Sequence, residues 1–195
     1  MAGYLGPKAI QYNVDNSNVT NDSNVGGDLT VGGELNATNG ILLGSSTDVL
    51  DDYETGTWLP TFEYRDGGTG SLTYTTQRFG SYVKVGRSVQ ISARLGWSAN
   101  NITSPKGAFS LKGLPFASAS LESERGGASI VYSDQFIENV SNVASVAFRG
   151  ELSVDYMILN YAINNASNMR EQLTNNSQLS SDGGFILFGY YNTNE

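Results

Sequence analysis

The sequence predicts an all-β protein with three parts: an extended N-terminal segment, a short stalk of β-structured repeats, and a C-terminal antiparallel β-sandwich of jelly-roll-like type. Three observations support this prediction. A six-residue unit repeats near the N-terminus, alternating apolar and polar runs fill most of the remaining chain, and the turn-forming residues Gly and Asn are abundant, at 23 and 19. The predicted boundaries are 1–24, 25–44, a polar linker at 45–52, and 53–195.

The repeat reads VGGDLTVGGELNATNGILLG over residues 25–44. Within each unit the two apolar positions are two residues apart, so a short strand places both on one face. Gly and Asn between the units tolerate the turn. Because about three units cannot shield an apolar edge alone, we expect three copies of the chain to share a common axis. The residues predicted to line this trimer stalk are Leu29, Val31, Leu35, Ile41 and Leu43.

Alternating runs from residue 53 onward predict the sandwich. The runs at 80–85 and 88–95 flank Gly86-Arg87, which is the pattern of a β-hairpin. Asn and Ser dominate residues 164–179, which favours a loop. About eight or more short strands favour a sandwich, with a closed barrel as the alternative. The other predicted strands lie at 57–64, 72–75, 107–111, 128–132, 143–148, 152–161 and 185–191.

Composition excludes several functions. The net charge of −8 argues against nucleic acid or an anionic membrane as the main partner. The chain has no Cys and no His, which removes disulfides, thiol nucleophiles, the usual zinc ligands and any His base. No apolar run approaches membrane-spanning length. We therefore expect no cofactor, no metal and no membrane insertion.

Two carboxylate clusters are candidate catalytic groups. A glycosidase needs two carboxylates placed across a glycosidic bond. One cluster lies in the predicted linker and the other in a Gly-flanked loop, so solvated loop charges are the simpler interpretation. We predict no catalytic residue and no enzymatic activity. The clusters comprise Asp51, Asp52 and Glu54, and Glu122 and Glu124.

Three motifs, in order, resemble a C-terminal domain common in bacteriophage tail-fibre and other virion structural proteins. YETGTWLPTF at 53–62 resembles its "EeGTWtPt" opening, GSYVKVGRSV at 80–89 its "G.YtkiGn.V" hairpin, and KGLPF at 112–116 its "i.gLPf" segment. The resemblance covers residues 51–195. The GGDLTVGG strip is also similar to repeats that precede such domains in trimeric phage fibres, and GYLGP at 3–7 resembles their short N-terminal attachment segments.

The resemblance implies a homotrimeric virion protein on the phage tail or capsid surface. Its N-terminus would bind other virion proteins through Tyr4, Leu5, Pro7, Ile10 and Tyr12. Its sandwich head would bind the host, and a bacterial surface glycan is the expected receptor class. Alternatives are a capsid decoration or head fibre, and a polysaccharide-degrading tailspike.

Aromatic rings stack on sugars, and Asn side chains supply both donors and acceptors. On this chemistry the candidate glycan contacts in the head are Trp97, Asn100, Asn101 and Tyr132. Most large aromatics of a sandwich belong to its core, and Trp58 is assigned there.

Overall fold

The computed structural model describes residues 26–37, 41–42, 49–50, 52–138, 142–164, 171–172 and 176–194. The chain divides into two units, Met1–Thr38 and Asn39–Glu195. One stalk residue, Leu43, and all the predicted attachment residues lie outside the described residues. The latter are Tyr4, Leu5, Pro7, Ile10 and Tyr12.

In the first unit, residues 26–37 follow the six-residue period. The chain bends at Gly26-Gly27 and again at Gly32-Gly33, with no regular secondary structure between the bends. Within residues 26–37 no hydrogen-bonded strand forms. The side chains of Leu29, Val31 and Leu35 are 66%, 44% and 59% exposed. A single chain therefore shows the predicted spacing, but neither strand pairing nor burial of this apolar strip.

The second unit is built from β-strands and two short 3₁₀ turns. Its described strands are β1 (Ile41–Leu42), β2 (Val49–Leu50), β3 (Tyr53–Trp58), β4 (Thr61–Tyr64), β5 (Gly68–Thr69), β6 (Leu72–Val85), β7 (Ser88–Asn100), β8 (Ser104–Pro105), β9 (Phe109–Lys112), β10 (Gly127–Asp134), β11 (Val143–Gly150), β12 (Tyr156–Ile163), β13 (Glu171–Gln172) and β14 (Gly183–Asn192). The 3₁₀ turns are Glu122–Glu124 and Asn176–Gln178.

Ten of the described strands form one antiparallel sheet. Its order is β3-β6-β7-β14-β10-β11-β12-β9-β4, and β13 pairs with β12. Strands β3 and β4 are consecutive in sequence, separated only by Leu59 and Pro60, yet they lie at opposite ends of this order. Proline has no N–H to donate, so pairing breaks there and changes partner. Because only two residues join β3 to β4, the sheet curls so that its two edge strands come close together.

This topology confirms the all-β, antiparallel prediction and revises its detail. The sequence suggested a sandwich of separate sheets, whereas the described strands form one curled sheet, closer to the barrel alternative. The predicted hairpin is present: β6 and β7 pair from Leu72↔Asn100 to Val85↔Ser88. Its turn holds Gly86 at φ +53, a conformation that glycine adopts without steric cost.

The start of the second unit differs from the predicted boundaries. Ile41 pairs with Leu50 and Leu42 with Val49, forming a small hairpin. The sequence placed Ile41 in the stalk and residues 45–52 in a linker. In the structure this hairpin belongs to the second unit, and Ile41 is 39% exposed. Of the predicted stalk residues, Ile41 therefore lies in a paired strand of the second unit.

The core fills the inside of the curled sheet. Alternate residues of β7 point inward, from Val89 to Trp97, and all five are buried. Phe62, with 0% exposure, lies among five other aromatic rings at centroid distances of 4.7 to 6.2 Å. Trp58 is also buried, as predicted, and its indole covers Gly80 so closely that a Cβ there would lie 2.3 Å from Nε1. These rings belong to one continuous hydrophobic core within the second unit.

Candidate functional site

A pocket of about 180 Å³ opens at the end of the sheet where β10 stops and β14 begins. Strand register assembles it from distant parts of the chain, because Gly183 pairs with Trp97 of β7 while Gly184 pairs with Asp134 of β10. We call it the end pocket. Its polar side chains are Gln77, Arg94, Asp134 and Asp182, and its aromatic side chains are Trp97, Tyr132 and Phe185.

The end pocket combines the groups that proteins use to hold a sugar. The ring of Tyr132 is 54% exposed, and the side chains of Asp134 and Asp182 are exposed acceptors. The Nε of Arg94 donates a hydrogen bond to Oε1 of Gln77 at 3.0 Å, which orients both side chains. An accessible aromatic face beside several donors and acceptors suits a polyhydroxylated ligand.

Two of the four candidate glycan contacts line this pocket, but only one is exposed. Tyr132 stands at its mouth. Trp97 is 2% exposed, and its Nε1 donates to the carbonyl of Ser180 at 3.3 Å. The indole also packs against Phe62 and Phe185. The structure therefore does not support the prediction that Trp97 stacks directly on a sugar. Its ring is part of the buried core and lies beneath the pocket.

The two asparagines do not line the end pocket. The amide of Asn100 donates to the carbonyl of Leu179 at 3.4 Å, and its oxygen accepts from the N–H of Ile102 at 3.3 Å. Asn101 is exposed and donates to Oγ1 of Thr73 at 3.1 Å. Both side chains hydrogen-bond to other parts of the protein and stabilise the loop that follows β7.

Sequence reasoning missed four pocket residues: Gln77, Arg94, Asp134 and Asp182. The local signal was weak, since Asp134 only follows Tyr132 by two positions and Asp182 only precedes a predicted strand. Their proximity depends on β10 and β7 both pairing with β14, which comes from the far end of the sequence. No short-range pattern contains that information.

The carboxylates of the two candidate catalytic clusters mostly form ion pairs or hydrogen bonds. Arg125 donates to Glu122 at 2.6 Å, which lowers the pKa of that carboxyl, and Arg87 donates to Glu124 at 2.7 Å. These pairs support their interpretation as structural charges. Two further contacts involve Asp52, which pairs with Lys84, and Glu54, which accepts from Tyr82, while Asp51 lies outside the described residues.

The described residues offer neither a metal-binding cluster nor a membrane-spanning helix. They contain no group of three or more Asp and Glu side chains arranged to hold a metal ion. Among the same residues, no helix is long and apolar enough to cross a membrane.

Comparison with known proteins gives one structural relationship. No family model matches the chain, and no curated protein matches it. The structure is similar to the crystal structure of the Dettilon tailspike protein (gp208), with a TM-score of 0.56 and 21% sequence identity. The chain shares a fold with part of a tailspike. The similarity covers 72% of this chain but only 24% of that protein, so this chain spans about a quarter of its length.

Proposed function

We propose that the chain is a structural protein of the bacteriophage virion: a homotrimeric fibre, anchored by its N-terminus, whose heads attach to the host surface. The observation that carries the proposal is the apolar strip. Leu29, Val31 and Leu35 are exposed at regular spacing in the first unit, whereas the second unit has a buried hydrophobic core of its own. The fold shared with a tailspike supports a virion protein, and favours the tail over the alternative of a capsid decoration or head fibre.

Three copies of the chain would bury the apolar strip. Burying a Leu or Val side chain stabilises by about 1.5–3 kcal/mol, so each chain gains several kcal/mol when its strip meets two others. The six-residue period keeps these side chains on one edge of the strip, so all of them can be buried where three strips meet at a common axis. Exposed strand edges also become covered by assembly.

The heads would bind glycan through the end pocket. One small pocket that uses one exposed ring gives a weak contact. Three heads per fibre, and several fibres per particle, raise the effective concentration and make adsorption stable. The proposed ligand class is a bacterial surface polysaccharide, and Tyr132 is the residue expected to stack on it.

The trimer is tested by the mass in solution. The wild-type chain should scatter light as three times 20.9 kDa. Leu29→Asp with Leu35→Asp should give a single chain, because three like charges would meet in a buried seam. Leu121→Asp is the matched control, since this head residue is 56% exposed and lies outside the strip. A wild-type monomer, or a trimeric double variant, contradicts a trimer held by the strip.

Attachment to the particle is tested by deletion. Removing residues 1–20 should leave a trimer that no longer joins virions when supplied to assembling phage. The control is the full chain with the Leu121→Asp change. Incorporation of the deleted protein at the wild-type level would refute an anchoring role for the N-terminus.

Adsorption tests the end pocket. Tyr132→Ala should reduce binding of the trimer to host polysaccharide about tenfold or more, because a stacked ring is lost from every head. Tyr53→Ala removes a ring that is similarly exposed, at 66%, outside the pocket. Equal binding by the two variants would exclude the end pocket as the glycan site.

A polysaccharide-degrading tailspike is the second candidate, and one observation favours it: Asp134 and Asp182 lie in the same pocket. We prefer binding alone because both side chains are exposed, whereas a general acid is held protonated by burial. Incubation with host polysaccharide decides between them. Reducing ends that appear with wild type and vanish with Asp134→Asn or Asp182→Asn would establish cleavage.

A further inference from the structure

The outside of the curled sheet carries an unusually apolar surface, formed mainly by strands β6, β7, β14 and β10. Five large side chains there are between 56% and 65% exposed, although each sits on or beside a regular strand. We call this surface the outer face. Its exposed members are Leu59, Phe79, Val131, Phe188 and Tyr190.

Strand register joins these side chains into one surface. Arg94 lies between Phe79 and Ile186 in one cross-strand row. In the next row Phe188 lies between Ser92 and Ser129, and in the third Tyr190 lies between Gln90 and Gly127. The aromatic residues of β14 therefore form the centre of the outer face, flanked by small or uncharged side chains.

The centre of the outer face differs in charge from the protein as a whole. The chain has 19 Asp and Glu residues against 11 Lys and Arg. The three cross-strand rows of β3, β6, β7, β14, β10 and β11 contain no carboxylate, and their charged members are Arg94 and Arg149. Burying the carboxylates of two acidic copies against each other is costly. A contact between copies therefore requires a surface that lacks carboxylates. The outer face meets that requirement.

The outer face also has a concave part. A depression of about 780 Å³ lies between β3, β6 and β7, with Leu59, Phe79 and Ile186 in its wall. Its polar groups are few and partly paired, because the hydroxyls of Ser81 and Ser92 bond each other at 2.9 Å and Arg94 bonds Gln77. A saccharide needs several open donors and acceptors. This depression instead suits apolar side chains.

We infer that the outer face is the contact surface between the heads of neighbouring copies of this chain within the trimer, with the end pocket left open at its margin, where Arg94 and Ile186 line both the pocket and the depression. The exposed rings of Phe188 and Tyr190 on β14 form the projecting part, and the depression beside Phe79 forms the receiving part. The projection and the depression occupy different positions on one chain, so a projection that enters the depression of a neighbour makes a head-to-tail contact. Such a contact closes into a ring when the rotation between copies is that of a trimer. This inference rests on the proposed trimer.

The available area fits such a contact. An aromatic side chain buries about 200 Å² when fully covered, so the three exposed rings of Phe79, Phe188 and Tyr190 offer roughly 350 Å². Leu59 and Val131 add to this area, but the total stays below the ~800 Å² per partner of a standard interface, so the head contact supplements the strip and does not hold the trimer alone. Aromatic and Arg enrichment with few acidic groups is also the composition of interface centres.

The absence of cysteine allows a direct test on the full chain. Ser129→Cys places a unique thiol on the outer face, opposite Phe188 in the register, and Ser123→Cys places one on the exposed 3₁₀ turn Glu122–Glu124. Each purified protein is reacted with a charged maleimide while its mass is measured by light scattering. In the trimer, the thiol of Ser129→Cys should react at least tenfold more slowly than that of Ser123→Cys.

Two added changes locate the source of protection. Adding Phe188→Ser and Tyr190→Ser to Ser129→Cys should restore the reactivity of the Ser129→Cys thiol to within about twofold of the Ser123→Cys thiol. Because both replaced residues are exposed, the head should keep its fold. Adding Leu29→Asp and Leu35→Asp instead should yield single chains, whose two thiol positions react alike.

The outcomes separate this inference from the proposed function. Equal reactivity of the two thiols in a sample with the mass of three chains overturns the head contact and leaves the trimeric fibre standing. Protection that persists in single chains also overturns it, because the chain would then cover its own face. A wild-type mass of one chain refutes the trimer and the head contact together. Slow reaction that depends on both the trimer and the β14 rings supports the inference.

Discussion

The apolar strip and the head core show two ways in which one chain handles large apolar side chains. Leu29 and Leu35 are 66% and 59% exposed, whereas Phe62 in the head is 0% exposed. Both regions show a regular apolar pattern in the sequence. The head closes its pattern with strands from the same chain, and residues 26–37 do not. Regular apolar spacing therefore predicts burial only where a partner strand exists.

The largest expected effect is on the head core. Phe62→Ala should destabilise the head by about 4 kcal/mol, because it removes a ring that packs against five others and leaves a cavity. Urea unfolding followed by tryptophan fluorescence measures the loss of stability, since the ring centroids of Trp97 and Phe62 are 6.2 Å apart. Leu121→Ala, at an exposed position, should change stability by less than about 0.5 kcal/mol. Equal effects would mean that the head has no closed core.

A smaller effect is expected at the buried ion pair near the start of the head. Lys84 is 3% exposed, pairs with Asp52, and lies 5.4 Å from the ring centre of Phe116. Asp52→Ala should cost about 2 kcal/mol in urea unfolding, because it leaves a buried cation without its partner. The carboxylate is partly exposed, which keeps the cost below that of a fully buried pair.

The matched control removes both charges. Asp52→Ala combined with Lys84→Met should recover most of the lost stability, since an apolar side chain of similar length replaces the cation. If the double variant is no more stable than Asp52→Ala, the loss comes from packing or from the backbone near residue 52, and not from the unpaired charge.

Local patterns predicted the parts of the head that depend on neighbouring residues. The β6–β7 hairpin followed from alternation on both sides of Gly86, and burial of Trp58 from its place in an apolar run. Curling of the sheet was not predicted, because it depends on β3 and β4 pairing with different partners on either side of Pro60. The run at 57–64 looks like one continuous strand in sequence.

The end pocket was found only in part for the same physical reason. Tyr132 was singled out for its aromatic ring, but Arg94 and Asp182 join it through strands far apart in sequence. Trp97 was misjudged because an aromatic residue near a loop looks similar whether it points inward or outward. Its inward direction follows from alternation with Leu95, a signal the sequence does contain.

Alkaline pH sharpens the contrast further, because the head core contains tyrosine and the strip does not. Burial raises the pKa of Tyr191 from 10.0 to about 12, and its hydroxyl exchanges hydrogen bonds of 3.1 Å with the backbone of Phe116. The folded state therefore favours the protonated form. This contribution to stability is complete below pH 10 and is lost as the pH rises toward 12.

Tyr191→Phe should lower stability by about 1 kcal/mol at neutral pH, because the N–H and carbonyl of Phe116 lose their partner. The gap between variant and wild type should narrow between pH 10 and 12, as wild type loses the linked stabilisation. Urea unfolding across that range, with tyrosinate absorbance recorded in parallel, measures both. A constant gap would mean that Tyr191 does not titrate with unfolding.

The smallest effect on the head is expected from the strip itself. Leu35→Ser exchanges a 59% exposed side chain in the first unit, so urea unfolding of the head should change by less than about 0.5 kcal/mol. The same variant should weaken the trimer, which light scattering over a dilution series would report as earlier dissociation. Gly33→Ala is the control, since a Cβ there meets no atom within 4 Å. A head destabilised by Leu35→Ser would show that the strip packs on its own chain, and the division between a self-sufficient head and a dependent strip would then be wrong.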